Sequence, residues 1–227
     1  MNYIWDKNNT KTYNNAVGQY KFRKQYAFIE EELKKQPVSR ILDIAGGSGR
    51  FAIPMLKYCD DITVIDINSQ AIQLLNQENK NIKTICNDFI TFEFNRKYQI
   101  LTCIEAIGYF EDMGLFFDKV NDLLEDNGKF IFTITNVKSW RFLFRKIKNM
   151  KKGYTRYNEI SIKQLYDLLK EKKLEIVKSE GMNWIPLALS SNSYKLVSFF
   201  EFIERKLRLN YWINQSPWLL LSIKKTK

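Results

Sequence analysis

Carboxylates follow three short apolar runs in the first half of the chain. Asp43 lies in "RILDI", Asp66 in "VIDIN", and Asp88 comes after "IKTIC". The turn "AGGSG" follows the first of them, and glycines let a backbone approach a ligand closely and adopt positive φ. Carboxylates accept hydrogen bonds from ribose hydroxyls and from an exocyclic amine. Together these residues indicate a site for an adenosine-containing cofactor.

Two cofactor classes fit these residues. Gly47, Gly49 and Ala52 match the dinucleotide fingerprint G-x-G-x-x-A. NAD and S-adenosylmethionine both carry a ribose, so Asp66 suits either of them. Asp43 stands directly before the glycines, where the dinucleotide fingerprint requires no acid. The Tyr-x-x-x-Lys pattern of reductases occurs in "YDLLK" but also in "YIWDK" and "YKFRK". An NAD(P)-binding reductase is therefore the weaker alternative.

The elements that must position these acids alternate between strand and helix. Predicted strands are "RILDI", "DITVIDI", "IKTIC", "YQILTCIEA", "KFIFTIT", "LEIVKSEGMNW" and "PWLLLSIKK". Predicted helices include "RFAIPMLKYC", "SQAIQLLNQEN" with Ser69 as N-cap, and "MGLFFDKVNDLLEDNG" ended by Gly128. This alternation predicts an α/β, Rossmann-like, doubly wound sheet that is mostly parallel, with helices on both faces. Ligands bind at the carboxyl ends of such strands.

Neither internal repeats nor a linker divide the chain, so we predict a single domain over residues 1–227. Its predicted parts are an N-terminal helical cap (1–36), a cofactor-binding core (38–136), a basic helical insertion (137–160) and a helical cap insertion (185–213).

Composition excludes several kinds of chemistry. The chain has no histidine, which removes Ser-His and Cys-His nucleophiles and the commonest metal ligand. Cys59, Cys86 and Cys103 show neither disulfide pairing nor metal-ligand spacing, so we expect a reducing, cytoplasmic setting and no metal. We see no signal peptide or membrane-spanning run.

The ordered motifs D-x-A-G-G-S-G, "VIDIN", "NDF" and "CIEAIGYFED" resemble the class I S-adenosylmethionine-dependent methyltransferases, most closely the small-molecule and quinone-type branch. The resemblance covers residues 10–136 best. It implies a seven-stranded sheet with an antiparallel C-terminal strand. It also implies S-adenosyl-L-methionine as cofactor and S-adenosyl-L-homocysteine as product.

The resemblance also implies a set of cofactor-binding residues. They are Tyr20, Arg23, Asp43, Ala45, Gly46, Gly47, Asp66, Ile67, Asp88, Phe89 and Ile104. Within this set, Asp66 would bind the ribose, and Asp88 with Phe89 the adenine. The residues of the glycine turn would flank the methionine part of the cofactor, and Tyr20 with Arg23 would close over it.

Two further expectations concern individual residues. Ala45 stands where the family usually has glycine, and we expect a negative φ there that tolerates the methyl group. Methyl transfer is an in-line displacement, and alignment alone supplies part of the rate. Glu105 and Tyr109 are the candidate catalytic residues, and Glu105 acts either as a base or by orienting the cofactor.

The acceptor side has two unusual segments. Residues 137–158 contain eight Lys or Arg residues and no acid, in a chain of formal net charge +11. This segment could touch a membrane through 138–152, a phosphorylated substrate or RNA, or be a solvated lid. The segment "YKLVSFFEFIERKL" has one apolar helical face, which predicts either a cap over an apolar pocket or, equally, a dimer surface. That face consists of Leu196, Phe199, Phe200, Ile203 and Leu207.

These features predict methyl transfer to a small, partly apolar organic acceptor, with nucleic acid disfavoured as a partner. The alternatives are an RNA- or membrane-associated methyltransferase and a non-catalytic cofactor-binding partner. The oligomeric state is not indicated.

Overall fold

Seven strands form one sheet in a computed structural model, which describes residues 13–142 and 160–226. The strands are β1 (Ile41–Ile44), β2 (Ile62–Asp66), β3 (Lys83–Cys86), β4 (Tyr98–Cys103), β5 (Leu124–Thr135), β6 (Leu174–Met182) and β7 (Trp218–Lys225). Their order is β3-β2-β1-β4-β5-β7-β6. Strands β1 to β5 pair in parallel, and β7 is antiparallel to both β5 and β6. The predicted sheet is confirmed.

The central strands are apolar because both faces of the sheet are covered, as in other parallel sheets. All four residues of β1 are buried. One side of the sheet packs a cluster that includes Phe28, Met55 and Leu75. The opposite side packs a cluster that includes Phe116 and Leu165. The sheet therefore has a separate apolar layer on each face.

Within the residues that the structure describes, six helices supply these layers and the cap. They are α1 (Ala16–Leu33), α2 (Ala52–Met55), α3 (Ser69–Glu78), α4 (Met113–Leu123), α5 (Ile162–Glu171) and α6 (Tyr194–Lys206). Short 3₁₀ turns follow β4 at Ile107–Tyr109 and α6 at Leu209–Tyr211. The N-caps of α1, α3, α4 and α5 accept backbone N–H groups through their side chains.

Several predicted boundaries were wrong. The helix predicted over "RFAIPMLKYC" is reduced to the four residues of α2. Helix α4 ends at Leu123 and not at Gly128, because pairing of Tyr98 with Leu124 already brings the chain into β5. Asn68, one residue before the predicted Ser69, caps α3.

The connection from β6 to β7 carries α6. Because β7 returns antiparallel, this connection begins and ends at the carboxyl edge of the parallel strands. There, α1 and the connection share a small apolar cluster that includes Val17, Ile185 and Val197. Most of the predicted basic insertion, residues 143–159, lies outside the described residues.

Of the two alternatives predicted for the apolar face of α6, the inward-facing cap was partly wrong, and the dimer surface stays a prediction. Leu196, Phe199 and Leu207 are exposed, whereas Val197 and Glu204 face the interior. A hydrogen bond from the Tyr20 hydroxyl to the Glu204 carboxylate fixes this orientation. In the described parts of the chain, no helix is both long and apolar enough to span a bilayer.

Candidate active site

Asp66, at the end of β2, ties together the turns that follow β1 and β2. Its Oδ2 accepts the backbone N–H of Gly47 at 2.9 Å, and its Oδ1 accepts that of Asn68 at 2.8 Å. The Ala45 N–H also donates across to the Ile65 carbonyl, at 2.8 Å. The glycine turn and the acid predicted to bind ribose are therefore joined directly.

The glycines of this turn have different reasons to be glycine. A Cβ on Gly46 would lie 2.5 Å from the Asp43 Oδ2 atom, so packing excludes one. Gly47 has φ +56°, and of the described part of the chain a Cβ there would meet only the Asp66 Oδ2 atom, at 3.9 Å. The backbone at Gly47 thus borders open space, and a ligand can approach it closely.

The conformation expected for Ala45 was wrong, because its φ is +55° and not negative. Glu105, after the neighbouring strand β4, is left-handed as well, with φ +61°. The left-handed conformation costs a residue with a Cβ roughly 1–2 kcal/mol. Such strain concentrates at functional sites, where the surrounding structure holds it in place.

Asp43 is a buried acid with one unpaired oxygen. The Thr102 hydroxyl donates to its Oδ1 at 2.6 Å, and Oδ2 has no hydrogen-bond partner among residues 13–142 and 160–226. Burial raises the pKa of Asp43 to about 7; the Thr102 hydrogen bond opposes this rise and the nearby Asp66 charge adds to it. A ligand group that donates a hydrogen bond would satisfy this oxygen in the ionised form of Asp43, which predominates above about pH 7.

This raised pKa predicts a pH dependence of stability. Between pH 4 and 7 the folded chain keeps a proton on Asp43 that the unfolded chain releases. The contribution of Asp43 to the free energy of unfolding therefore falls as the pH rises. From pH 5 to 7.5, the free energy of unfolding of the wild type should fall, relative to Asp43→Asn, by about 2–3 kcal/mol. Urea unfolding at a series of pH values measures this difference.

Asp118→Asn is the matched control, because Asp118 is an exposed acid paired with Lys172 on the surface. Parallel pH profiles for wild type and Asp43→Asn would contradict the assigned protonation.

Glu105 is held by side chains from the N-terminal helix. Lys21 Nζ lies 2.6 Å from its Oε2 and Gln25 Nε2 lies 2.8 Å from its Oε1. The Arg50 guanidinium is 3.8 Å from the same Oε1. Because both carboxylate oxygens are engaged by donors, this arrangement suits positioning better than proton abstraction.

The sequence interpretation missed Lys21, Gln25 and Arg50. Lys21 and Gln25 are four residues apart on α1 and hence share one helix face. Arg50 directly follows the glycine turn, donates to the Gly18 carbonyl and lies 4.3 Å from the Tyr13 ring centroid. The helical spacing was a usable signal, but it did not reveal which face of α1 meets the strand ends.

Tyr20 and Arg23, the predicted cofactor residues of α1, contact α6. The Tyr20 hydroxyl donates to Glu204 and accepts the Asn183 N–H. Arg23 pairs with Glu201 at 2.7 Å. These contacts attach α6 to α1, and a role of Tyr20 and Arg23 at the cofactor stays a prediction.

The predicted adenine side combines an exposed and a buried part. Asp88 is exposed, with one carboxylate oxygen 2.6 Å from the Ile90 N–H. Phe89 is buried and packs against the rings of three other phenylalanines. Ile67, directly after Asp66, is 53% exposed. Ile67 and Asp88 thus present free surface at neighbouring strand ends, whereas the Phe89 ring belongs to the core.

The remaining predicted residues follow β4. Ile104 is buried at the end of this strand. Tyr109 is half-buried in the 3₁₀ turn and packs against the core. Both residues lie on the segment that carries Glu105. Their positions do not test the predicted cofactor contact of Ile104 or the predicted catalytic role of Tyr109.

Comparisons with known proteins concern the family and the fold of the chain. Residues 17–179 match a family model described as a methyltransferase domain. A ubiquinone biosynthesis O-methyltransferase of Rickettsia typhi is 24% identical over 217 residues, covering 86% of each chain. Nodulation protein S of Sinorhizobium fredii is 26% identical over 106 residues, covering 44% of this chain and 49% of the relative.

Solved structures share the fold. An S-adenosylmethionine-dependent methyltransferase from Clostridium acetobutylicum superposes with a TM-score of 0.64 at 14% identity, covering 91% and 92% of the two chains. The N-methyltransferase NodS of Bradyrhizobium japonicum, solved with S-adenosyl-L-homocysteine, gives 0.64 at 16% identity, covering 94% of this chain and 90% of NodS.

Proposed function

Because this chain belongs to the S-adenosylmethionine-dependent methyltransferases, we propose that it methylates a small, partly apolar organic acceptor at the carboxyl edge of its sheet. The observation that carries the proposal is the pairing of the open Gly47 backbone with the Asp66 carboxylate. The cofactor supplies a methyl group activated on a sulfonium, and S-adenosyl-L-homocysteine is the product.

The residues at this edge fit the cofactor's parts. A carboxylate has about four lone-pair sites, so Asp66 can accept ribose hydroxyls while it keeps its two backbone N–H partners. Ile67 and Asp88 are exposed beside it and suit the adenine. The open backbone at Gly47 and the unpaired oxygen of Asp43 suit the amino-acid part.

The charges around Glu105 complement the two charged ends of an amino acid. Lys21 and Arg50 are cations that can attract its carboxylate, and Glu105 can attract its ammonium group. Lys21 and Gln25 hold this carboxylate directly after β4, where Glu105 has its left-handed conformation. The chain's contribution is then to bind and orient, which supplies several kcal/mol of rate acceleration without a base.

The acceptor side is formed by the cap. Helices α1 and α6 meet at the carboxyl edge through apolar residues that include Val17 and Val197. Tyr20 and Glu204 add one buried polar pair beside them. The cap therefore combines apolar packing with buried polar contacts that also involve Lys24 and Asn183, and this mixture supports an acceptor that is itself partly apolar.

The reductase alternative has no support. Tyr166 and Lys170 lie on α5, which packs on β6. Strand β6 is at the edge of the sheet, separated from β1 by β4, β5 and β7. The pair is therefore remote from the glycine turn.

Calorimetric titration with S-adenosyl-L-homocysteine tests the cofactor side, with NAD as the comparison ligand. We expect saturable binding of S-adenosyl-L-homocysteine and no binding of NAD.

A panel of phenols and amines of increasing apolar size, with S-adenosylmethionine labelled in its methyl group, tests the acceptor class. Label transferred only to RNA would contradict the proposed acceptor, and absence of cofactor binding would contradict the site.

A further inference from the structure

The outer face of α6 exposes aromatic and cationic side chains together. Lys195, Phe199, Phe202 and Lys206 are spaced by four, three and four residues, and so lie along one stripe of the helix. Phe199 is 56% exposed and Phe202 is 51% exposed. Exposed rings arranged in one patch indicate an interaction surface, whereas isolated exposed apolar residues do not.

The patch continues beyond the end of α6. Leu207, Tyr211 and Trp212 follow within six residues and are all more than half exposed. Tyrosine and tryptophan combine an apolar body with a polar end, which favours the interface between water and lipid. We call the two parts together the α6 surface: Lys195, Leu196, Phe199, Phe202, Arg205, Lys206, Leu207, Arg208, Tyr211 and Trp212.

The charge of the α6 surface is positive. Within residues 13–142 and 160–226, no acid forms an ion pair with Lys195, Arg205, Lys206 or Arg208. The two acids of α6 face α1 instead. Glu201 pairs with Arg23, and Glu204 is buried beside Tyr20. The aromatic rings are therefore flanked by cations whose charge is not neutralised.

We propose that the α6 surface docks the protein peripherally on an anionic lipid bilayer. Phenylalanine and tryptophan side chains would enter the interfacial region, while lysine and arginine side chains contact anionic headgroups. Because α6 lies in the connection that borders the carboxyl edge, the cap faces the bilayer. The proposal does not depend on the identity of the acceptor.

The positive charge and the apolar composition of the α6 surface favour an anionic bilayer over a second copy of the chain, the basic segment 143–159 or nucleic acid. In a symmetric dimer the same patch would meet itself and oppose four cations to four cations. Residues 143–159 of the chain are themselves strongly basic, with six Lys or Arg residues and one acid, Glu159, so their net charge does not complement this surface. The aliphatic Leu196 and Leu207 in the patch match acyl chains and do not stack on bases.

Sedimentation of the full chain with phosphatidylcholine vesicles, with or without one quarter phosphatidylglycerol, tests the proposal. Two variants separate the contributions. Phe199→Ser with Phe202→Ser removes the rings and keeps the charge. Changing Lys195, Arg205, Lys206 and Arg208 to glutamine removes the charge and keeps the rings. Matched controls are Leu115→Ser with Tyr166→Ser, and Lys163→Gln with Lys170→Gln, at exposed positions of α4 and α5.

We expect binding to the anionic vesicles only, weakened by salt. Each surface cation near such lipid contributes about fivefold, so the four-glutamine variant should lose roughly a hundredfold or more in partitioning. Removing both rings should cost about tenfold or more, because burial of each ring in lipid is favourable. The control variants should bind as the wild type does. Trp212 emission should shift to shorter wavelength on binding, and Trp212→Phe should abolish that shift.

Several results would overturn the proposal. Unchanged partitioning of the Phe199→Ser, Phe202→Ser variant is one, and equal binding to neutral vesicles is another. A dimer that this variant dissociates would assign the surface to a second copy. A drop of several degrees in its Tm would show that the chain itself covers the rings. Binding of single-stranded RNA without vesicle binding would assign the surface to nucleic acid. Titration of each variant with S-adenosyl-L-homocysteine checks, independently, that the cofactor site is intact.

Discussion

Replacing Asp66 with alanine should weaken binding of S-adenosyl-L-homocysteine by about a hundredfold or more. Hydrogen bonds to a charged group contribute about 1.5–3 kcal/mol each, and a hundredfold corresponds to about 2.7 kcal/mol. The change removes the proposed acceptor of the ribose hydroxyls. It also frees the N–H groups of Gly47 and Asn68, which Asp66 holds at 2.9 and 2.8 Å. Isothermal titration calorimetry measures the affinity.

Two comparison variants make this result specific. Asp66→Asn keeps one acceptor oxygen, so its affinity should lie between those of wild type and Asp66→Ala. Asp118→Ala removes a surface carboxylate on α4 that pairs with Lys172, and its affinity should equal that of the wild type. If Asp66→Ala bound the ligand as tightly as the wild type, Asp66 would have no role in the cofactor site.

Removing the Glu105 carboxylate should have the largest effect on stability. Lys21 and Glu105 have side chains only 7% and 12% exposed. Glu105→Ala therefore leaves a buried ammonium group without its anion, which costs about 3–5 kcal/mol. Adding Lys21→Met should recover part of this loss, because the second change removes the unpaired charge. Urea unfolding of both single variants and the double variant forms a double-mutant cycle, and additive effects would show that the pair is not coupled.

Glu105→Gln distinguishes the two roles predicted for this residue. If Glu105 orients the cofactor, its neutral analogue should weaken S-adenosyl-L-homocysteine binding by about tenfold, the effect of one charged contact. If it acts only as a base, cofactor affinity should stay constant while turnover falls by about 10²–10⁴-fold. We expect the first result, because donors already occupy both oxygens. Glu125→Gln, which alters a salt bridge to Arg40 at the opposite strand ends, is the matched control.

Much of the carboxyl edge of the sheet, where the candidate site lies, could be predicted from local sequence patterns. Strand–helix alternation places the carboxyl ends of parallel strands at one edge, and Asp43 and Asp66 stand at those ends. The sheet and its antiparallel C-terminal strand followed from the family resemblance and are confirmed. The alternation itself depends on residues close together in the chain, which periodicity can detect.

Predictions that depended on competition between local and distant contacts were less accurate. Gly128 looked like the end of a helix, but strand pairing with β4 takes the chain into β5 four residues earlier. Ala45 was expected at negative φ, yet the geometry of the turn imposes φ +55°. A residue's type gives its conformational cost, and the surrounding structure decides whether that cost is accepted.

The family resemblance, which implies the cofactor, the parallel edge and the order of the acids along it can all be read from the primary structure. What surrounds those acids depends on contacts between distant parts of the chain. Glu105 meets Lys21 and Gln25 across 84 and 80 residues of chain. The outward face of α6 depends on a buried bond between Tyr20 and Glu204, 184 residues apart. Helical spacing defines which residues share a face, but packing between distant elements selects the face that is buried.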